Sequence, residues 1–349
     1  MNEERLMILK MLEQGKITAE QAVALLEAVK EREREAERET KAWEPWKTGE
    51  WGRKIEESVA QIVGRLQEAG VLVHREYRGR FGTPEMEATP SDQAPILIRL
   101  ATRNGSIKVT GTDENEYLLR LHGRVRHPAG TRPGTAEGGE SRDWLDSLVE
   151  AGRSEGGIQL DLTDPGLYGL HIELALPRDH RYQIALASEN GSVGVLGHGL
   201  RCSTVTLETQ NGGASAEGLA AEYVRIATEN GSIRLDGLEA TRGEATTTNG
   251  GVRVRVGESP GRGHWRIATS NGSIKVAIPA GSVPCIFFRA QTRMGRVQVE
   301  AAPLVFRRFV HEHGHHYVEG FLGAEAAAGS AGLELDLETS NGSITIQPG

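Results

Sequence analysis

Aromatic residues, cysteines and long apolar runs are scarce in this sequence. Phe, Trp and Tyr together make up 5% of the 349 residues, and there are two cysteines, Cys202 and Cys285. No C-x-x-C spacing of a metal or redox motif occurs. So few cysteines favour a reducing compartment. A disulfide between Cys202 and Cys285 is the less favoured alternative, because the two residues fall in well-separated parts of the repeat described below.

The sequence also lacks membrane and export signals. No stretch approaches the 18 or more apolar residues of a membrane-spanning helix. The N-terminal sequence MNEERLMILKMLEQGK begins with acids and has no uninterrupted apolar region, unlike a signal peptide. We therefore expect a cytoplasmic protein, with membrane association and display on the cell surface left open.

A basic excess is missing as well. The formal net charge is -8 and the isoelectric point is about 5.8. General nucleic-acid binding needs a basic face that neutralises phosphates, so this balance argues against that function class.

Glycine, by contrast, is abundant, and much of it recurs in one phrase. The chain has 44 glycines. The sequence TENGSIRLDG, which begins at Thr228, has six relatives elsewhere in the chain, and most carry the pattern [TS]-x-N-G-S-[IV]. Successive asparagines from Asn190 to Asn271 are 21, 19, 19 and 22 residues apart. A period near 20 residues is typical of a solenoid.

Apolar residues alternate on both sides of each Asn-Gly pair. Val224 and Ile226 precede the pair, and Ile233 and Leu235 follow it. A period of two places these side chains on one face of a strand. One such unit cannot close a core, but stacked units can cover one another.

Two structures compete for the Asn-Gly pairs. One is a type I′ hairpin turn, which needs positive φ at both residues. The other is the corner of a β-helix coil, which must recur in every coil. The recurrence favours a mainly β, β-helix-like solenoid of about 20-residue repeats; a propeller needs roughly 40 residues per blade. The predicted corner residues are Asn104, Gly105, Asn190, Gly191, Asn211, Gly212, Asn230, Gly231, Asn249, Gly250, Asn271, Gly272, Asn341 and Gly342.

The solenoid is predicted to span residues 91–349, with insertions near 125–155 and 303–330. Thr or Ser two positions before each asparagine, and Ser after the glycine, are expected to form polar ladders along the corner. Met294 takes the place of asparagine in TRMGRVQVEA, 23 residues after Asn271.

Residues 1–42 are predicted to form a helical hairpin that precedes the solenoid. Apolar residues recur at helical spacing, Gly15 ends the first helix, and Thr18 with Gln21 forms a capping box for the second. So small a unit has little core of its own, so we expect it to pack on a second copy of itself, on the rest of the chain or on a partner. The predicted contact residues are Leu9, Leu12, Leu25 and Leu26.

Residues 43–90 are predicted to be a linker with one amphipathic helix. Trp43, Trp46 and Trp51 precede a segment whose apolar residues fall on one helical face. Packing within the protein or an oligomer, contact with a partner protein, and binding at a membrane interface all fit this pattern. The three tryptophans are further candidate contact residues.

Catalytic and metal-binding patterns are weak. No nucleophile elbow or phosphate loop occurs, the carboxylates are scattered, and we expect neither a cofactor nor an enzyme. His311, His313 and His315 alternate along a predicted strand and are the candidate metal ligands, although Gly314 suggests a turn there.

These motifs resemble a known domain pair. The Asn-Gly-Ser repeats and the ending LELDLETSNGSITI are similar to the bacterial toastrack-type adhesin family, a β-solenoid domain of unknown function. The N-terminal LKMLEQGKITAEQAVALLEAV resembles the SHOCT-like bihelical domain that often precedes it. The resemblance implies a role in cell-envelope stress responses of the Lia and phage-shock types, and it brings no catalytic residues.

We therefore expect a non-enzymatic scaffold or sensor that acts through protein contacts, with self-association or contact with a membrane surface left open. The expected partners are proteins, among them membrane components of an envelope stress system. Three alternatives stay open: a carbohydrate-binding or surface-binding adhesin-like solenoid, a β-helix enzyme active on polysaccharides, and a filament built by end-to-end stacking.

Overall fold

The structure is a computed structural model of the 349-residue chain. It describes residues 71–82, 94–125, 139–164, 167–237, 239–257, 263–279, 285–301, 304–312, 315–322 and 332–349. All of them belong to one compact unit, Val71–Gly349. The predicted helical hairpin, the three tryptophans and the amphipathic helix lie outside the described residues.

The described unit contains 23 strands and one helix, numbered in chain order. The helix α1 is Gly139–Ala151. The strands up to the middle of the unit are β1 Val71–Gly79, β2 Ile96–Asn104, β3 Ile107–Thr112, β4 Tyr117–Val125, β5 Arg153–Ser154, β6 Gly157–Leu162, β7 Leu167–Pro177, β8 Arg181–Asn190, β9 Val193–Leu196, β10 Arg201–Thr209, β11 Ala214–Glu217 and β12 Ala220–Thr228. The remaining strands are β13 Ile233–Asp236, β14 Glu239–Asn249, β15 Val252–Arg255, β16 Gly263–Asn271, β17 Ile274–Ile278, β18 Ile286–Met294, β19 Val297–Val299, β20 Leu304–Glu312, β21 His315–Leu322, β22 Leu333–Asn341 and β23 Ile344–Pro348.

The strands form two long sheets. Sheet A has the order β1-β4-β7-β3-β9-β11-β13-β15-β17-β23-β19, and sheet B has the order β20-β21-β18-β22-β16-β14-β12-β10-β8-β2-β6-β5. In the repeats, a long strand of sheet B is followed by an Asn-Gly corner and a short strand of sheet A. Equivalent strands of successive repeats pair in parallel. The mainly β solenoid expected from the sequence is thereby confirmed.

The core lies between the two sheets and is built from aliphatic stacks. Ile226 of β12 is in register with Leu207 of β10 and with Ala245 of β14, and all three are buried. Ile233 and Leu235 of β13, which belongs to sheet A, are buried on the opposite side of this core. The period-two alternation of the sequence thus places one face of each strand in the core.

The coils do not all stack in sequence order. β16 and β17 are followed in the stack by the C-terminal strands β22 and β23, and only then by β18 and β19. The repeat of Met294 therefore follows that of Asn271 in the chain but not in the stack. The C-terminal coil is inserted as the penultimate layer, and its strand β23 is paired on both sides.

The domain boundary also differs from the predicted one. β1, which falls within the predicted linker 43–90, pairs antiparallel with β4 in sheet A. Its sequence VLVHREYRG interrupts the apolar alternation with His and Arg. Because of these polar residues, the sequence pattern did not indicate a strand here, although Val73 is fully buried.

The segment that directly follows the first predicted insertion, 125–155, forms a layer of the stack. β6 and β7 pair in parallel with β2 and β3 and extend the solenoid by one coil. Antiparallel strands then close this end, with β4 beside β7 in sheet A and β5 beside β6 in sheet B.

The helix α1 covers the same end. Leu145 and Val149 are fully buried in the main core. Asp146 accepts hydrogen bonds from the Arg75 guanidinium, at 3.1 Å, and from the Tyr77 hydroxyl. Burial, and next the Asp146 carboxylate, raise the pKa of Tyr77 well above its ordinary value, so the phenol remains a proton donor to Asp146.

The second predicted insertion forms the opposite end. β21 pairs antiparallel with β18, and β20 pairs antiparallel with β21 to form a hairpin. β20 is therefore the outermost strand of sheet B. A bulge between Phe306 and Arg308 interrupts its pairing with β21.

Candidate functional site

The asparagines of the corners form a continuous side-chain ladder. Each one after the first donates from Nδ2 to Oδ1 of the asparagine in the preceding coil, at 2.8–3.0 Å. The ladder runs through Asn104, Asn190, Asn211, Asn230, Asn249, Asn271 and Asn341. Met294, in register with Asn341, has no side-chain N–H group and cannot continue the ladder.

Close stacking explains the glycine that follows each asparagine. A Cβ atom on Gly231 would lie 1.8 Å from the carbonyl oxygen of Gly212, and one on Gly212 would lie 2.1 Å from that of Gly191. Neither glycine is among those with positive φ. The pair therefore serves backbone contact between coils and not the left-handed conformation that a type I′ turn requires.

Hydroxyl groups satisfy the same glycine carbonyls. Thr228 Oγ1 donates to Gly212 O at 2.9 Å, and Thr247 Oγ1 donates to Gly231 O at 2.9 Å. Both threonines are 5% exposed. This arrangement explains the Thr or Ser two positions before each asparagine, because a carbonyl buried without a donor is costly.

Glycine with positive φ occurs at the opposite corner of the coil. Gly199, Gly218 and Gly237 have φ of 81°, 56° and 58°. They lie between a short strand of sheet A and the next long strand of sheet B. The two corners thus use glycine for different reasons, one for space and one for backbone conformation.

The predicted histidine group is divided between the two strands of the terminal hairpin. His311 of β20 is in register with His316 of β21, and their Nδ1 atoms are 3.2 Å apart. His315 lies opposite Glu312 in register, and His313 is outside the described residues. Among the described residues, no group of three or more His, Cys, Asp or Glu side chains is placed to hold a metal ion.

A second histidine group, which sequence reasoning missed, lies at the capped end of sheet A. His74, His122 and His171 occupy one row across β1, β4 and β7. The rings of His122 and His171 are stacked with centroids 5.0 Å apart. Ser106 approaches His171 Nδ1 with its hydroxyl at 2.7 Å. Burial, and next the nearby His122, lower the pKa of His171.

The largest exposed apolar side chains gather on the edge strand β20. Val305, Phe306 and Phe309 are 47%, 57% and 64% exposed. Among the described residues, only two other large apolar side chains are exposed, Leu72 and Met294. Exposed aromatic residues grouped on one strand mark a binding surface more often than scattered ones do.

Two arginines lie between these apolar residues. The Arg307 guanidinium stands 4.7 Å from the ring centre of Phe321, and that of Arg308 stands 5.6 Å from the ring centre of Tyr317. Both arginines are exposed. We call the exposed residues Val305, Phe306, Arg307, Arg308 and Phe309 the β20 edge.

The outer face of sheet B carries an alternating row of charges. Neighbours in the row are in register on adjacent strands and have opposite sign. Arg289 reaches Asp336 at 3.2 Å. The row consists of Arg225, Glu244, Arg266, Asp336, Arg289, Glu319 and Arg308.

A shallow depression of about 280 Å³ lies over β14, β16 and β22. Its lining is mostly Thr and Ser, including Thr246, Ser270 and Ser340, and its only ionisable residue is Glu338. A single exposed carboxylate without a second acid or a base does not form the paired arrangement of a glycosidase.

The two cysteines, Cys202 and Cys285, are both buried and lie in different coils. Burial raises the pKa of Cys202 to about 12. Among the described residues, no helix is both long and apolar enough to cross a membrane.

Comparison with known families agrees with this architecture. A model of the Toastrack DUF4097 domain matches residues 170–347, slightly more than half of the chain. The chain belongs to the Toastrack DUF4097 family. A model of a SHOCT-like domain matches residues 3–34. Both parts of the resemblance expected from the sequence are thus confirmed, and in this toastrack chain the SHOCT-like match precedes the toastrack match.

Two solved structures are similar to this toastrack chain. One, from Clostridium sporogenes, is described as a "putative cell adhesion protein"; it is 9% identical, covers 80% of this chain and 100% of its own, and has a TM-score of 0.31. The other, from Bacteroides fragilis, is described as a "putative adhesin"; it is 13% identical, covers 79% of this chain and 97% of its own, and has a TM-score of 0.34. No curated protein matches the chain.

Proposed function

We propose that this toastrack protein is a non-enzymatic scaffold or sensor in a bacterial cell-envelope stress response, and that the β20 edge is where its solenoid binds a protein partner. The carrying observation is the exposure of Val305, Phe306 and Phe309 on the outermost strand of sheet B. Among the described residues, the only other exposed large apolar side chains are Leu72 and Met294, so the β20 residues form the largest exposed apolar group. Their exposure to water carries a free-energy cost that a partner would remove.

The chemistry of the edge defines the partner. An outermost strand offers free backbone groups to which an extended segment can add. The apolar side chains call for apolar residues on that segment, and Arg307 and Arg308 call for acidic ones. The expected partner is a protein that presents an extended segment with alternating acidic and apolar residues.

A filament of stacked solenoids is the less favoured alternative. Antiparallel strands close one end through β4 and β5 and the other through β21 and β20. Coil-on-coil growth requires an open parallel edge of matching length. In sheet A the last strand is β19, which has three residues.

The order of the two domains supports the proposed envelope-stress role. A SHOCT-like segment at 3–34 precedes the toastrack match at 170–347, the arrangement associated above with Lia-type and phage-shock-type responses. A scaffold that joins a helical domain to a rigid solenoid can connect one partner to another. On this proposal, membrane components of the stress system are the partners.

The test is complementation in the native bacterium. A deletion strain receives the wild-type gene, a Phe306→Ser/Phe309→Ser variant, or the control Leu72→Ser, which changes a residue 71% exposed on β1 at the other end of the stack. Transcripts of envelope-stress genes are measured before and after a cationic antimicrobial peptide, with protein levels checked by immunoblot.

The proposal predicts that deletion alters the induced transcripts, that wild type and Leu72→Ser restore them, and that the β20 variant does not. An unaltered response in the deletion strain would remove the stress role. Full restoration by the β20 variant would instead remove the β20 edge as the partner site.

A further inference from the structure

The cations on the outer face of sheet A are arranged differently from those on sheet B. Arg234 of β13 is in register with Arg253 of β15, and Arg253 is in register with Lys275 of β17. All three are exposed, while the residues on either side of each are buried. Adjacent strands are about 4.8 Å apart, so three positive charges stand in a straight row along the solenoid axis.

Acidic residues neutralise this cation row only in part. Arg234 lies 4.0 Å from Glu217 and 3.9 Å from Asp236, distances at the limit of an ion pair. Among the described residues, no ion pair joins Arg253 or Lys275 to an acid. Like charges directly opposite one another on neighbouring strands are destabilising.

The neighbouring row adds one more cation. Arg255 is in register with Asp236 and lies 3.6 Å from it. The local sum is four cations, at Arg234, Arg253, Arg255 and Lys275, against the two carboxylates of Glu217 and Asp236. This positive face stands out in a chain of net charge -8.

In sheet B, the same fold places charged residues of opposite sign next to one another. Its outer row alternates in sign from Arg225 to Arg308, so each cation has at least one anion beside it and the inner two, Arg266 and Arg289, lie between anions. The same solenoid thus neutralises one row internally and leaves the other positive. An external anion with several negative charges would neutralise the row that sheet A leaves positive.

We propose that the cation row Arg234–Arg253–Lys275 binds a linear, phosphate-bearing polymer that lies along the solenoid axis. Guanidinium groups pair with phosphate oxygens in a forked geometry, and Lys275 supplies a point charge. A polymer fits better than a single phosphate because the three cations are spread along a line and do not converge on one point.

The neighbouring side chains narrow the choice of polymer. In the same row, Ser215 precedes Arg234 and Thr345 follows Lys275. The next row contains Asp236, Arg255 and Ala277. These positions offer no aromatic ring for base stacking, and their one apolar side chain, that of Ala277, is too small for insertion into a bilayer. A phosphate chain without bases therefore suits the face better than single-stranded nucleic acid or a membrane.

The experiment measures binding of purified full-length protein to fluorescently labelled long-chain polyphosphate at increasing salt. The test variant is Arg234→Gln/Arg253→Gln/Lys275→Gln. The matched control is Arg225→Gln/Arg266→Gln/Arg289→Gln, which removes the same total charge from the alternating row of sheet B. Circular dichroism and thermal melting establish that both variants are folded.

The inference predicts that wild type binds polyphosphate with an affinity that falls as salt rises, since the contacts are ionic. The sheet A variant should lose affinity by at least about tenfold, and the control should stay within about threefold of wild type. Orthophosphate at the same phosphate concentration should compete poorly.

Three results would overturn the inference: no binding of polyphosphate at low salt, equal loss of affinity in the two variants, and binding of anionic phosphatidylglycerol vesicles or single-stranded DNA in place of polyphosphate. The β20 edge takes no part in this experiment. Failure here therefore leaves the proposed stress function untouched, and success does not depend on it.

Discussion

Asn230 donates a hydrogen bond of 3.0 Å from its side-chain amide to the side-chain oxygen of Asn211, 19 residues earlier in the chain. It accepts the equivalent bond from Asn249 at 2.8 Å. A recurring asparagine that looks like a local turn residue therefore bonds chiefly to residues one coil away. The repeat in the sequence reflects contact between coils.

The ladder predicts that an internal asparagine matters more than a terminal one. Asn230→Ala removes two side-chain hydrogen bonds, and Asn341→Ala removes one, because Met294 stands on its other side. At about 1 kcal/mol for each bond, the free energy of unfolding should fall by about 2 and about 1 kcal/mol. Urea unfolding of both variants gives the comparison. Equal losses would show that the ladder does not act through these bonds.

The corner glycine should tolerate no side chain. Gly231→Ala places a Cβ atom 1.8 Å from the Gly212 carbonyl oxygen, so the coils must separate. We expect a loss of at least about 3 kcal/mol in the free energy of unfolding.

The matched control for this substitution is Gly213→Ala, whose Cβ would have its nearest contact at 3.4 Å. That variant should stay within about 1 kcal/mol of wild type in the same unfolding experiment. A stable Gly231→Ala protein would contradict the close-stacking explanation of the Asn-Gly pair.

The Cys202 thiol should make stability fall at high pH. Burial raises its pKa from 9.0 to about 12, so above pH 9 the unfolded chain binds fewer protons than the folded one. The free energy of unfolding then declines between about pH 9 and 12, by about 1 kcal/mol at pH 10. Cys202→Ala should show a smaller decline between pH 8 and pH 10 than wild type. Because tyrosines also titrate there, the difference between the two proteins is the quantity to measure.

His171 should make stability fall as the pH drops, whereas Cys202 makes it fall as the pH rises. Burial and the nearby His122 lower its pKa, although Glu173 opposes them, so below about pH 6.5 the unfolded chain binds more protons. The urea midpoint of unfolding should therefore fall as the pH drops from 7 to 5. His171→Gln should reduce that fall. An identical pH dependence in the two proteins would exclude His171 as its source.

Local pattern was enough to predict the coils. The alternation around Val224 and Ile233 and the spacing of the asparagines follow from contacts that every coil repeats. The sequence also indicated polar ladders at the corner, although it did not show that the amide of Asn230 would bond to another asparagine.

Coil order and the closing strands required information that local pattern does not carry. The strand that ends at Asn341 has the same apolar alternation whichever coil lies beside it, so nothing in it reveals insertion between β16 and β18. β1 was missed because His74, Arg75 and Glu76 follow Val73 and interrupt the apolar alternation. The exposure of Phe306 and Phe309 follows from the position of β20 in the sheet, which the sequence alone does not provide.

The cation row shows the same limit. Arg225, Arg234 and Arg253 alternate with apolar residues in the sequence, a pattern that any solvated strand face would give. The structure places Arg225 in the neutralised row of sheet B and the other two side by side on sheet A. Only the pairing register between coils shows whether an arginine lies beside an acid or beside another cation.

The central claim is the order in which the coils stack. That order determines which strands close the end of the solenoid and where the β20 edge lies. Thr345 of β23 is in register with Lys275 of β17 on one side and with Gln298 of β19 on the other. Cysteine pairs at these positions lie within the reach of a disulfide, whereas Lys275 and Gln298 are separated by a whole strand.

Disulfide formation under mild oxidation is therefore the most direct measurement. The account predicts cross-links in Lys275→Cys/Thr345→Cys and in Gln298→Cys/Thr345→Cys, and none in Lys275→Cys/Gln298→Cys. A cross-link in the last pair, together with none between positions 275 and 345, would mean that the coils stack in sequence order and would contradict the account.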